Sequence, residues 1–174
     1  MPDARWRAPS AAALTGWVAW AALTVLALAA VVRSGRNVPL GPDWRIVPAV
    51  TGHEPEPVHW LWYQDGNDRR PAGRALAWAV VAATRDFRAP GIAAVLGLAA
   101  LGAMLLRASQ RARGARWADL FLPVILLQPA AWAGLAPSAL LMALVPLLLA
   151  GTILLAVVSD PARALIPESE ILSR

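Results

Sequence analysis

The side chains able to do chemistry crowd into positions 42–74. Both histidines, the single tyrosine and three of the nine tryptophans lie there. The sharpest group is Asp65, Asp68, Arg69, Arg70 and Arg74. Guanidinium forks grip phosphate oxygens two at a time, and a carboxylate beside them can take a proton or hold a metal ion. Next to a membrane, such a phosphate would belong to a lipid headgroup or a lipid diphosphate. The same residues also suit a solvated turn around Asp65-Gly66-Asn67-Asp68, with the arginines touching lipid phosphates unselectively. Residue types alone favour the plainer role.

Two weaker groups sit in the same stretch. His53 and His59 are flanked by Glu54 and Glu56 among prolines. A zinc or iron centre needs three or four ligands at fixed geometry. Two loop histidines without helical spacing do not supply that, so we assign no metal. Trp60, Trp62 and Tyr63 fit an aromatic belt at a membrane interface. A platform on which a sugar stacks is the alternative.

What must position these residues is mostly hydrocarbon-like. The chain has 174 residues, 58% of them hydrophobic, against about 45–50% in soluble domains. The net charge of +5 rests on arginine alone. Arginine without lysine, amid much alanine, glycine and proline, is what GC-rich bacterial coding produces. It is not read as a nucleic-acid footprint. Without cysteine there is no disulfide and no thiolate site.

Residues 11–32 carry no charge and as a helix would be about 33 Å long, enough for the hydrocarbon core. A cleaved signal peptide competes, because Ala27-Leu28-Ala29 resembles a processing site, but signal cores run about 7–15 residues. Residues 33–88 form a long external loop, whose part from 33 to 74 is rich in charge and proline and expected to be mostly irregular. Within it, uncharged residues 75–84 are too few to cross and suit a short interfacial helix, with Trp78 at headgroup depth. Residues 89–106 make the second span, followed by the basic loop of Arg107, Arg111, Arg113 and Arg116.

Residues 120–159 contain no charge; one helix would be about 60 Å, twice the membrane core. The run must fold back, and residues 134–138 offer Gly, Pro and Ser for the turn. Spans of about 117–135 and 137–158 result, with Pro123, Pro129 and Pro146 kinking them. Asp119 reads as an interfacial charge at the inner end of the third span, and Gln128 as an interhelical hydrogen bonder within it. The expectation is an all-α integral membrane protein forming a single domain of four transmembrane helices. Arg5, Arg7, the 107–116 cluster, Arg163 and Arg174 place both termini in the cytoplasm.

The order of motifs in the loop resembles the first external loop of bacterial polytopic proteins of the GT-C type, the lipid-sugar-dependent membrane glycosyltransferases. The matching pieces are Asp43-Trp44, Val47-Pro48, Thr51-Gly52 and Trp60-Leu61-Trp62. Gln64, Arg69, Pro71, Arg74 and Asp86-Phe87-Arg88 continue the series. The resemblance implies that Asp43, just beyond the first span, serves an acceptor hydroxyl or a metal, with Asp68 as the second acid. Arg69, Arg70 and Arg74 would then face a lipid-linked sugar phosphate, and only in that case does a divalent cation enter as cofactor.

The chain also departs from the family pattern. Pro42 stands where a first acid would be, and Asp65-Gly66-Asn67-Asp68 replaces a core containing two histidines. Trp132 is followed by Ala133 and Gly134 in place of polar residues. The expected function is therefore a GT-C-like N-terminal module without activity of its own, in the bacterial inner membrane. It would act among lipids and other membrane subunits as an accessory subunit. Half of a split glycosyltransferase and an added subunit of an energy-transducing complex are the alternatives.

Overall fold

The computed structural model describes residues 10–62, 71–128 and 137–159. Seven α-helices and two short 3-10 turns are described, with no strand among these residues. Helix α1 spans Ala11–Ser34. Ser10 starts it, its hydroxyl accepting the Ala13 N–H at 3.3 Å, the usual device for satisfying a first-turn donor. A 3-10 turn at Gly41–Arg45 then leads into α2 (Val47–Thr51) and α3 (Pro57–Trp62). Helix α4 runs over Pro71–Thr84 and α5 over Ala89–Arg113. A second 3-10 turn at Trp117–Leu120 feeds α6 (Phe121–Leu127), and α7 is Pro137–Ser159.

Two of these helices, α1 and α5, are long and apolar enough to cross a membrane. The two differ in surroundings. Half of the apolar stretch of α5 is buried, but only 17% of that of α1. Leu14, Val18, Val25, Leu26 and Val32 of α1 are all exposed. A continuous outward apolar face of this kind is costly in water and costs nothing in lipid.

Contacts fix the helix directions. Gly16 of α1 lies against Leu106 of α5, and Trp20 lies against Gly102, so these helices run antiparallel. Asp119 bonds Ser109 while Leu126 approaches Gly102, so α6 is also antiparallel to α5. Gly97 meets Leu144 and Leu148, and Gly151 meets Leu101, which makes α7 parallel to α5. The core between them includes Ala27, Ala94, Val95, Leu98, Leu127, Leu141 and Leu144. Helix α4 packs lengthwise on α7 and against α5, burying Gly73, Ala77 and Val81.

Three expectations need correction. Among its described residues the 33–74 part of the loop is not mostly irregular, since a 3-10 turn, α2, α3 and the first turn of α4 occupy much of it, while the helix expected at 75–84 is present within α4. Its prolines open these elements instead of breaking them: Pro48, Pro57 and Pro71 stand at helix starts, where the missing N–H costs nothing. The second helix does not stop at 106; it carries Arg107, Arg111 and Arg113 on its last turns until Gly114, at φ 75°. Arginine is a good helix former and favours the carbonyl end. The stretch at 117–135 is not one helix, because α6 ends at Leu127 and Gln128 is extended, with ψ 125°. Pro129 follows, and a residue before proline is driven out of the α region. Gln128 is accordingly exposed and not inside a helix. The turn expected at 134–138 lies outside the described residues except for its last two, which open α7.

Candidate functional site

The first 3-10 turn, α2, α3 and the start of α4 form a junction beside α7. Asp43 is the third residue of the turn, only 1% exposed, and its carboxylate accepts the Leu40 N–H at 3.4 Å. Ile46, next to α2, is equally buried, while Trp44 and Arg45 point outward. Two of the four residues therefore anchor the turn.

Tryptophan indoles tie this turn to the helices. Trp60 of α3 donates its Nε1–H to the Arg45 carbonyl at 3.0 Å. Its own carbonyl accepts Arg74 Nη1 at 3.0 Å, and Arg74 is buried in the first turn of α4. Trp78, one turn of α4 beyond Arg74, donates to the Ala49 carbonyl of α2 at 3.1 Å. Turn, α2, α3 and α4 are thus cross-linked by side chains that the sequence offered for other tasks. None of Asp43, Arg45 and Arg74 is without a partner.

Of the residues singled out for chemistry, this junction gathers Asp43, Arg74 and Trp60. Trp62 is on the opposite side of α3 and is 62% exposed. Tyr63, Asp65, Asp68, Arg69 and Arg70 lie outside the described residues. His53 Nδ1 is 3.0 Å from Thr51 Oγ1, and His59 is exposed on α3. Among the described residues no three metal-ligating side chains gather.

A second cluster, at the opposite end of α5, was not foreseen. Asp119 is buried in the second 3-10 turn, where Oδ1 accepts Ser109 Oγ at 2.8 Å and Arg113 Nη2 at 2.6 Å. Its Oδ2 accepts the Arg116 N–H at 2.9 Å. It is a buried anchor and not simply an interfacial charge. The sequence held one clue: Ser109 and Arg113 are one helical turn apart, just before Gly114, and Asp119 follows within six residues. Asp43 and Asp119 thereby occupy equivalent places, each buried at the third position of a 3-10 turn after a long helix.

A third polar point sits between α4 and α5. Asp86 takes both Arg88 Nε and Nη2 on its carboxylate and accepts the Arg88 N–H at 2.8 Å. Hydrogen bonding by the Arg88 side chain first, and by its backbone N–H second, holds the Asp86 carboxyl below its ordinary value, with burial opposing.

Comparisons with family models, with curated proteins and with solved structures find no match to this chain.

Proposed function

We infer that this chain is a four-pass membrane scaffold: a module like the N-terminal part of GT-C transferases, without activity of its own, serving as an accessory subunit. Helices α1 and α5 would cross the bacterial inner membrane, α6 would open the return, and α7, whose 23 residues rise about 34 Å, would cross last. The alternating directions of α1, α5, α6 and α7 support that path, as does the arginine-rich end of α5 for a cytoplasmic face.

One observation carries the scaffold reading. Asp43 and Arg74, the best candidates for handling a hydroxyl and a phosphate, are buried and engaged at a packed junction. In that role they hold the external loop onto α7. Such a module presents a preformed surface to neighbours and does not need a substrate cavity.

Two experiments test this. The chain has no cysteine, so His53→Cys and Ala112→Cys report topology cleanly, and both positions are exposed. In intact cells the first should react with an impermeant maleimide and the second should not; the reverse pattern sinks the four-pass path. Native membranes solubilised in mild detergent should release the chain in a complex with other polytopic subunits. A chain that migrates alone and transfers sugar from a lipid phosphate would sink the scaffold reading. A transferase as its constant partner would instead mark a split enzyme.

A further inference from the structure

The loop end of the bundle holds a juxtaposition that sequence order hides. Asn37, just past α1, accepts the Phe87 N–H on its amide oxygen at 2.9 Å and donates its amide nitrogen to the Arg85 carbonyl at 3.4 Å. Two residues earlier, Gly35 sits so close to Arg88 that a Cβ there would lie 3.1 Å from Cγ. The 35–37 linker is thereby laid along the 85–88 turn. Neighbouring Cα atoms are about 3.8 Å apart, so Arg36, between the two contact points, is within side-chain reach of both Arg85 and Arg88. Arg33 is on the last turn of α1 just before them.

Arg33, Arg36 and Arg85 are exposed, and Arg88 is half-buried. Among the described residues one carboxylate answers this group, Asp86, and both of its oxygens are already bonded to Arg88. Like charges closer than a Debye length of about 10 Å repel appreciably. Arg85 adds a second cost, since it holds φ 55° without being glycine. A third rests on the four-pass reading, which puts this corner on the extracytoplasmic face, where arginine works against the orientation signal.

Such a corner is suited to an anion. We propose that Arg33, Arg36, Arg85 and Arg88 form a phosphate-binding site at the loop end of the bundle, taking a phosphate ester from a lipid headgroup or from solution. The forks of Arg36 and Arg85 grip the oxygens bidentately. Arg88, oriented by Asp86 and by its contact with Gly35, fixes one wall. It draws on none of the residues of the 65–74 cluster, and it does not need the scaffold reading to be right.

The test uses the full chain in detergent micelles, where both faces are accessible. Probes are phosphatidylglycerol against phosphatidylcholine, read by native mass spectrometry, and inorganic pyrophosphate, read by calorimetry. Variants are Arg36→Gln with Arg85→Gly, and Arg107→Gln with Arg111→Gln at the other end. Glycine relieves the positive φ, so loss of binding in the first pair is not a folding defect. Losing charge-assisted bonds should weaken binding by about tenfold or more in the first pair, while the second leaves this component unchanged. A loss confined to phosphatidylglycerol identifies a lipid headgroup; a loss that includes pyrophosphate identifies a soluble ester as well. Equal affinity of wild type and the Arg36/Arg85 pair for both probes overturns the proposal. Labelling of His53→Cys from the cytoplasmic side would sink the four-pass path yet leave the micelle result standing.

Discussion

Replacing Gly73 by alanine perturbs the junction at its tightest point. A Cβ there would lie 2.8 Å from Met142 Cα and 3.1 Å from its Cβ and Cγ. Alanine gains up to about 1 kcal/mol over glycine inside a helix, whereas overpacking costs about 1–3 kcal/mol. Here the obstacle is the backbone of α7, which no rotamer change can move, so α4 has to lift. The net loss should be about 1–2 kcal/mol, with the Arg74 bond to Trp60 disturbed at the same time. Gly97→Ala is the matched control. Its Cβ would also lie 2.8 Å from an atom, but that atom is Leu144 Cδ2, the free end of a side chain. Leu144 can turn away, so helix propensity should bring the net change to within about 0.5 kcal/mol of zero. Unfolding in detergent, followed by tryptophan fluorescence, measures both. If Gly73→Ala unfolds no earlier than wild type, or Gly97→Ala loses more than Gly73→Ala, the packing of α4 on α7 is not as described.

Three further outcomes are expected. Asp119→Asn keeps the shape but gives up the ion pair with Arg113, and by the same unfolding assay should lose about 2–4 kcal/mol; an unchanged midpoint would mean the cluster is open to water. Trp60→Phe should lose about 1 kcal/mol with the bond to Arg45, while Trp62→Phe, exposed, should stay within about 0.5 kcal/mol; similar losses in both would contradict their different packing. Asp86 has a folded pKa below its ordinary 3.8, so its contribution is fully present above that value and is lost as pH falls through the lower folded one. Arg88→Gln should flatten that part of the acid unfolding profile, and an unaltered profile would exclude the pair as its source.

What the sequence made legible follows from what each feature depends on. Ser10 before an uncharged run places the start of α1, and the uncharged stretch at 75–84 marks α4, because both signals are local. The prolines of the loop misled, since the same residue breaks a helix from inside and opens one from its first position. Only the surrounding packing decides which. Helix α5 runs seven residues beyond the expected limit at 106, because arginine stops a hydrophobic run without stopping a helix. Pro129 lay in plain view, yet its effect on Gln128 was subordinated to the length argument for a third span. Asp43 was picked out by type and position, but not its burial, which depends on α7, about a hundred residues later. The arginine corner is invisible in one dimension, because Asn37 lays the 35–37 linker along the 85–88 turn only in the fold.

The way α1 is attached has a consequence for how the chain assembles. It buries only Gly16 and Ala27, and in hydrocarbon apolar contact gives neighbouring helices little reason to associate. Besides the packing of Gly16 on Leu106 and Trp20 on Gly102, two polar links join it to α5: Trp17 Nε1 to Gln110 Oε1 at 3.2 Å and Trp20 Nε1 to the Ala99 carbonyl at 2.8 Å. Both acceptors are made some eighty to ninety residues after the donors. If α1 crosses the membrane as proposed, it waits in the bilayer during synthesis with two indole N–H groups unanswered, each a standing penalty. The arrival of Ala99 and then Gln110 removes that penalty in two steps, top to bottom along the same seam. A bilayer would accept such a helix at once; the rest of the protein claims it late.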